Sequence, residues 1–230
     1  RREKLFAEAH RLLAANPTTR FVFLRMDVDR FRLYNTSFGE QEGDRLLRYL
    51  AAIVSALAQQ HQPSVAGRLN ADVFCICMPY EAEALATQVA EAGQRLTSYR
   101  ADYVLRLCTG AYIIEDITLS VEEMNVRAAT GAQKCKGSYN DSLGIYDAQE
   151  ARMAEQEIEI TNEMRPALKE KQFVIYLQPK YKLTNETAAG AEALVRWQHP
   201  QKGLISPGLF IPLFEKNGFI AELDQYIWEE

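Results

Sequence analysis

FVFLRMDV, at residues 21–28, is apolar on both faces until it reaches Asp27 near its end. A strand with this pattern is typical of the centre of a sheet, where side chains on both faces are buried. The sequence therefore predicts a central strand that ends in a carboxylate.

The segments on either side of this strand alternate between helical and extended patterns. Apolar residues recur at helical spacing in 1–15, 46–57, 85–96 and 121–136, and short apolar runs at 65–69, 73–78, 103–114 and 143–146 are typical of strands. The predicted order for residues 1–147 is α-β-α-α-β-β-α-β-α-β, which places a further helix between the strand at 21–28 and the helix at 46–57. Strands joined by crossing helices and one hairpin predict an α+β fold, a two-layer sandwich of the ferredoxin-like type.

The composition changes after residue 147. Residues 148–170 form a polar run that is typical of a linker helix. Alternating runs at 173–183 and 189–197 predict two strands, and Pro207 and Gly218 are placed to begin and end a helix. We expect a first domain at 1–147, a helical linker at 148–170 and the first part of another domain at 171–230.

Composition limits the class of protein. The hydrophobic share is 47% and the charged share 25%, as in ordinary soluble globular chains. With 26 basic and 31 acidic residues the net charge is −5, which argues against binding of a nucleic-acid polymer. No apolar run reaches about 18 residues, so no membrane segment is expected in this chain. Because it lacks an initial methionine, we expect a piece of a longer cytoplasmic protein, which a missing upstream part could attach to a membrane.

The four cysteines, Cys75, Cys77, Cys108 and Cys135, do not have the spacing of a zinc site. We expect buried, reduced thiols, as in a cytoplasmic protein.

Two acids stand where strands end or turn. Asp27 closes the central strand, and Asp72 lies between the strands of the predicted hairpin. Paired carboxylates with a free backbone carbonyl form an oxygen-ligand site that suits Mg²⁺. An acid at a strand end is also commonly solvated or a helix cap, and both interpretations stay open at this point.

The order and spacing of these residues resemble a known family. MDVDRFR at 26–32, followed by Asn35, Gly39 and the pair Gly43 and Asp44, resembles the first signature of GGDEF domains. The hairpin sequence RLNADVF at 68–74 lies where the family carries Gly-Gly-Asp-Glu-Phe. Such domains are diguanylate cyclases, which join two GTP molecules into cyclic di-GMP. The resemblance implies a nucleotidyl-cyclase palm type of fold for residues 1–147.

The resemblance also implies roles for individual residues. Asp27, the Val28 carbonyl and Asp72 match the positions that hold metal, with Mg²⁺ as the implied cofactor. Asn35 and Asp44 match the pair that contacts the guanine edge, and Lys134 matches a lysine that contacts the triphosphate.

Departures from the family signature fall on its catalytic part. Asn70 and Ala71 replace two glycines whose flexibility lets backbone amides approach phosphates, and Val73 replaces the glutamate, although Asp72 and Phe74 are kept. Further departures are Thr36, Glu40 and Ser138, the last in place of a phosphate-binding arginine, and the family's inhibitory Arg-x-x-Asp is absent at 61–64. A missing general base typically costs 10²–10⁴-fold in rate. We expect a degenerate, catalytically inactive site with GTP as a candidate ligand.

The second part resembles the beginning of an EAL domain, a cyclic di-GMP phosphodiesterase. The matching segments are FVIYLQP at 173–179, EALVRW at 192–197, ISP at 205–207 and FIP at 210–212. The resemblance implies that Glu192 is a metal ligand and that Gln178 and Arg196 contact the cyclic dinucleotide. A TIM-type barrel needs about 250 residues, so we expect an incomplete barrel fragment that is not a whole phosphodiesterase.

The leading hypothesis is a regulatory GGDEF module, attached to an EAL domain in a bacterial cyclic di-GMP signalling protein. Two alternatives remain: the parent protein acts as a phosphodiesterase through its EAL domain, or the GGDEF domain retains residual cyclase activity. The expected ligands are GTP or cyclic di-GMP. Residues 172–230 would expose apolar surface when they stand alone. We expect them either to pack against the first domain or to exchange with a second copy, and a homodimer is the expected assembly.

Overall fold

A computed structural model describes residues 2–136, 141–184 and 187–229, which separate into two units, Arg1–Asp147 and Ala148–Glu230. The first unit has helices α1 (Arg2–Ala15), α2 (Phe31–Phe38), α3 (Glu40–Gln60), α4 (Leu85–Thr97) and α5 (Val121–Ala132). Its strands are β1 (Phe21–Val28), β2 (Val65–Asn70), β3 (Val73–Pro79), β4 (Leu107–Ile113) and β5 (Leu143–Ile145). Their order along the chain is the predicted one.

Strand β1 lies at the centre of a five-stranded sheet ordered β2-β3-β1-β4-β5. It pairs antiparallel with β3 and β4, whereas β4 and β5 are parallel. Leu24 on one face of β1 belongs to a core with α3 and α4, and Phe23 on the other face belongs to a core with α1 and α5. The prediction of an α+β fold and a central β1 is confirmed. The prediction of two layers is wrong, because a strand that is apolar on both faces requires helices on both sides.

Two predicted boundaries differ from the structure. The strand predicted at 103–114 begins only at Leu107, because the preceding residues form a turn in which Arg100 Nε donates to Asp102 at 2.6 Å. The helix predicted at 121–136 ends at Ala132 and continues as tight turns, in which the Cys135 amide donates to the Ala132 carbonyl. Gly137, the expected helix stop, lies outside the described residues.

Helix α5 crosses β4 at unusually close range. A Cβ atom at Gly110 would collide with the backbone carbonyl of Ala128 and with the Ala132 amide. Only glycine fits between strand and helix at this crossing. The crossing therefore holds the C-terminal end of α5 against β4. That end lies beside the last residues of β1, since Cys108 on β4 is the cross-strand partner of Asp27.

The second unit has helices α6 (Ala148–Lys169), α7 (Pro207–Asn217) and α8 (Ile220–Glu229), with strands β6 (Phe173–Tyr181), β7 (Ala188–His199) and β8 (Gly203–Ile205). These strands form an antiparallel sheet in the order β6-β7-β8. Gly218 ends α7 in the left-handed conformation, as predicted. Aromatic side chains dominate the core, among them Phe173, Trp197 and Phe214. The three described strands do not form a barrel, and the barrel fragment stays a prediction.

Among the residues that the structure describes, no helix combines the length and the apolar character that crossing a membrane would take.

Candidate functional site

Asp27 lies near the end of β1, and this residue is 7% exposed. Burial raises its pKa above the ordinary value, and Lys136, whose Nζ lies 3.9 Å from Asp27 Oδ2, acts in the opposite direction. The register that pairs Met26 with Phe74 places Asp72, two residues before Phe74, near the end of β1, and its charge adds to the increase of the pKa of Asp27. The structure therefore brings both predicted acids to one edge of the sheet, next to the backbone of Val28.

This edge fits a hard cation only in part. The described residues contain no group of three or more His, Cys, Asp or Glu side chains that could hold a metal ion. The available protein ligands are two carboxylates and the Val28 carbonyl, and Mg²⁺ commonly completes such a set with water and substrate phosphates. A buried carboxylate with a second negative charge nearby is an environment that a cation would stabilise. The donor set therefore fits Mg²⁺ when a phosphate ligand accompanies it.

The hairpin between β2 and β3 has a tight turn at the degenerate signature. Asn70 pairs with Val73, which leaves Ala71 and Asp72 in the turn. Ala71 has a φ of 33°, a left-handed value that glycine adopts at lower cost. Its carbonyl accepts a hydrogen bond of 2.6 Å from Arg68 Nε. The turn is thus held by a hydrogen bond between two residues of the hairpin.

Val73 and Phe74 point to opposite sides of the sheet. Val73 is 7% exposed and belongs to the core under α1 and α5, whereas Phe74 belongs to the core under α3 and α4. The position at which the family carries a glutamate is therefore filled by a buried aliphatic side chain.

Asn35 and Asp44 occupy the two helices that follow β1. Asn35 on α2 rests against the first turn of α3, where a Cβ atom at Gly43 would collide with its side chain. The Oδ1 atom of Asn35 is buried and has no hydrogen-bond partner among the described residues. Asp44 is exposed and lines a groove of about 560 Å³ together with Arg48 and Arg68. The pair thus combines an unsatisfied acceptor with an accessible carboxylate.

A hydrogen-bonded cluster around Glu42 holds the α2–α3 turn in place. Tyr99 donates to the Glu42 carboxylate at 3.0 Å and Tyr34 at 3.5 Å, and Arg45 contacts the same side chain at 3.1 Å. The hydrogen bond from Tyr99 is the main reason that the pKa of Glu42 lies below its ordinary value. No pattern in the sequence indicated this cluster. Glu42 is one residue from Gly43 and two from Asp44, so the cluster supports the predicted guanine pair.

The two lysines after α5 differ in their surroundings. Lys134, the residue singled out by the sequence, is exposed in the turn that follows the helix. Lys136, which no sequence pattern singled out, is the lysine that contacts Asp27. Ser138, predicted to stand in place of a phosphate-binding arginine, lies outside the described residues.

All four cysteines are buried and free, as predicted. Burial raises the pKa of Cys75 and that of Cys77 to about 12. Cys108 and Cys135 lie in one buried cluster with Ala132, and the interaction between the two thiols raises the pKa of Cys108 and lowers the pKa of Cys135.

The residues predicted for the second site share one face of the β6–β7 ribbon. Gln178 is the cross-strand partner of Glu192, and Arg196 lies four residues further along β7 on the same face. Glu192 forms an ion pair of 2.9 Å with Lys180. The guanidinium of Arg196 donates to the Val195 carbonyl at 2.9 Å.

Family comparisons match both parts of the chain. Residues 2–130 match the family described as diguanylate cyclase, GGDEF domain, and residues 161–230 match the family described as EAL domain.

Curated relatives and solved structures agree with these matches. The bifunctional diguanylate cyclase/cyclic di-GMP phosphodiesterase MucR of Pseudomonas aeruginosa is 30% identical over 92% of this chain and 31% of its own length. The cyclic di-GMP phosphodiesterase NbdA of the same organism is 27% identical over 88% of this chain and 26% of its own length. This chain thus spans less than a third of either relative. The active GGEEF domain of a diguanylate cyclase from Vibrio cholerae superimposes with a TM-score of 0.56 at 22% identity, covering 64% of this chain and 96% of that domain, which shows the fold.

Proposed function

We propose that this chain is part of a cyclic di-GMP signalling protein, because it belongs to the GGDEF domain family and its residues 161–230 match the EAL family. In this proposal the first domain binds GTP and regulates the second domain, without converting GTP into cyclic di-GMP.

The observation that carries the proposal is the β2–β3 turn. Ala71 adds a Cβ atom where the family has glycine, and its carbonyl is engaged by Arg68. Val73 places a buried aliphatic side chain where the family has a carboxylate. Phosphoryl transfer depends on positioning and charge neutralisation. A turn that lacks the glutamate, and whose Ala71 carbonyl is already engaged by Arg68, is therefore poorly suited to catalysis.

Nucleotide binding has more support than catalysis in the residues that remain. The unsatisfied Oδ1 atom of Asn35 and the exposed carboxylate of Asp44 offer hydrogen-bond acceptors to the N–H groups of a guanine edge. Asp27, the Val28 carbonyl and Asp72 would hold Mg²⁺, which neutralises triphosphate charge when it is bound. Lys134 would contact the phosphates from the turn after α5.

For the second domain, we propose that Glu192 binds metal and that Gln178 and Arg196 contact a cyclic dinucleotide. Their position on one face of the β6–β7 ribbon supports this assignment. Phosphodiesterase activity would belong to the longer protein, since the named relatives MucR and NbdA are described as phosphodiesterases. Residues 148–170 would connect the two domains, and residues 171–230 would form the first part of a barrel.

Residual cyclase activity is the second candidate for the first domain. The electrostatic coupling of Asp27 and Asp72 favours it, because a pair of acids at this edge retains part of a metal site.

The deciding experiment incubates the chain with GTP and Mg²⁺ and measures cyclic di-GMP by chromatography, with Asp27→Ala as the control. We expect no product above that control, and product above it would establish the residual cyclase instead. Calorimetry then compares GTP with ATP for the unmodified chain and for Asp44→Ala. We expect GTP to bind in preference to ATP and more weakly after the substitution. Equal binding of the two nucleotides would contradict the guanine site.

A further inference from the structure

Cys108 and Cys135 bring two buried thiols together from distant parts of the first unit. Cys108 lies on β4, Cys135 lies in the turn after α5, and each side chain is 3% exposed. Both side chains belong to one buried cluster with Ala132. The Sγ atom of Cys108 also lies 3.2 Å from the Ala132 carbonyl, and that of Cys135 lies 3.5 Å from the Thr109 carbonyl. The Cys135 amide donates to that same Ala132 carbonyl at 3.1 Å. The two cysteines are therefore neighbours, as an S–S bond of about 2.05 Å requires.

This thiol pair adjoins the proposed metal and phosphate positions. Cys108 is the cross-strand partner of Asp27 in the β1–β4 register. Cys135 stands between Lys134 and Lys136, and Lys136 contacts Asp27 at 3.9 Å. A covalent change at the pair would therefore act on the segment that presents both lysines.

We propose that Cys108 and Cys135 form a reversible redox-modification site, which a hydroperoxide converts into a disulfide. The cross-link fixes residues 133–136 against β4 and changes the affinity of the first domain for GTP, a consequence that rests on the proposed function.

The chemistry balances with hydrogen peroxide as the oxidant. One thiol takes an oxygen atom from the peroxide and becomes a sulfenic acid, with release of one water molecule. The sulfur of the second thiol then attacks the sulfenic sulfur, which forms the S–S bond and releases the oxygen as a second water molecule. The two thiols lose two electrons and two protons in total, and the peroxide O–O bond is broken. A dithiol reductant reverses the change by thiol–disulfide exchange.

Cys75 and Cys77 provide an internal control within the same chain. They are equally buried but stand two positions apart on β3, where the strand rise separates their Cα atoms by about 6.6 Å. That distance is at the limit that a disulfide spans, and each backbone is held in the sheet. If burial alone decided reactivity, all four cysteines would respond to the oxidant alike. The proposal instead predicts oxidation of Cys108 and Cys135 only.

The test treats the whole chain with hydrogen peroxide, blocks the remaining thiols under denaturing conditions and identifies tryptic peptides by mass. Trypsin cleaves after Arg106, Arg127, Lys134 and Lys136, so the disulfide would join peptide 107–127 to peptide 135–136, while Cys75 and Cys77 stay on peptide 69–95. We expect the linked pair after peroxide, its disappearance with dithiothreitol, and its absence in Cys135→Ser and Cys108→Ser. Cys77→Ser should still form it. A chain in which Cys75 and Cys77 are oxidised as readily, or in which disulfides form only between molecules, would overturn the proposal.

Calorimetry with GTP on the oxidised and reduced chain tests the consequence separately. We expect a change in affinity of about fivefold or more, reversed by dithiothreitol and absent in Cys135→Ser. Equal affinity in both states would overturn the regulatory half of the proposal. If the disulfide forms but GTP binds in neither state, the redox site stands and the proposed GTP function fails. Circular dichroism of Cys135→Ser and of Cys135→Ala establishes that the variants are folded.

Discussion

Replacing Val73 by glutamate would restore the carboxylate that the family signature carries, at a position where the structure buries an aliphatic side chain. The register pairs Met26 with Phe74, so the next residues, Asp27 and Val73, face each other across β1 and β3. Cross-strand Cβ atoms lie about 5 Å apart. The new carboxylate of Val73→Glu would therefore add a third negative charge beside Asp27 and Asp72.

The size of the effect follows from this distance. Two like charges about 5 Å apart repel by about 3 kcal/mol at an effective dielectric constant of about 20. Loss of valine burial adds up to about 1.5–3 kcal/mol. Val73→Gln shares that loss of burial but carries no charge. Without metal, Val73→Glu should therefore be less stable than Val73→Gln by about 3 kcal/mol, or about 6–12 °C in the unfolding temperature of a unit of this size.

Mg²⁺ should change the thermal stability of the two variants differently. A cation held by three carboxylates would offset the repulsion, and a ligand at 100 times its dissociation constant stabilises by about 2.7 kcal/mol. Thermal unfolding of both variants in EDTA and in a MgCl₂ titration measures the difference. We expect Mg²⁺ to raise the melting temperature of Val73→Glu and to leave Val73→Gln nearly unchanged. If the two variants respond equally to Mg²⁺, Asp27 and Asp72 do not face this position as a metal site.

Three further predictions concern the first unit. Gly110→Ala should destabilise it by about 3 kcal/mol or more in urea unfolding, because the added methyl group would collide with the helix backbone. The matched control is Gly93→Ala, where a Cβ atom makes only an ordinary contact. Ala71→Gly should stabilise it by about 0.5–1 kcal/mol through relief of the left-handed backbone, and a lower urea midpoint would contradict this. Glu42→Gln should lower stability at pH 7. Because folding lowers the pKa of Glu42, chiefly through Tyr99, its contribution is present above the unfolded pKa of about 4.3 and is lost as the pH falls through the lower folded pKa. The difference between parent and variant in a pH series of urea unfolding should therefore disappear at acid pH, and a constant difference would count against it.

Local patterns were sufficient where burial alone decides the structure. The sequence at 21–28 predicted β1 because every position of the strand except the half-buried Arg25 is buried. The β2–β3 hairpin followed from two apolar runs separated by a short polar turn. The strand predicted to begin at Tyr103 begins later because of a tertiary contact of that residue. Its ring packs against Tyr34 and Phe38, with centroids 5.3 Å apart in both pairs, so an aromatic residue that resembled part of a strand covers α2 instead.

The contacts at the site itself could not be predicted from local patterns. Lys136 is far from Asp27 along the chain, and Cys135 is far from Cys108; both pairs meet because α5 crosses β4 at Gly110. One signal was present in the sequence, since a glycine inside a strand often marks the close approach of another backbone. The cluster around Glu42 had no such signal, because its members come from three separate elements.

The close crossing at Gly110 also has a consequence for how this chain tolerates mutation. An added side chain there collides with rigid backbone, so no rotamer change can absorb it, whereas Asn70 and Ala71 already carry side chains in a turn with room on its outer side. Substitutions can therefore accumulate in the hairpin while the helix crossing stays closed to them. In evolutionary terms, the fold of this domain is more resistant to substitution than its active-site residues. A chain of this kind can therefore lose one activity, keep its fold and acquire another.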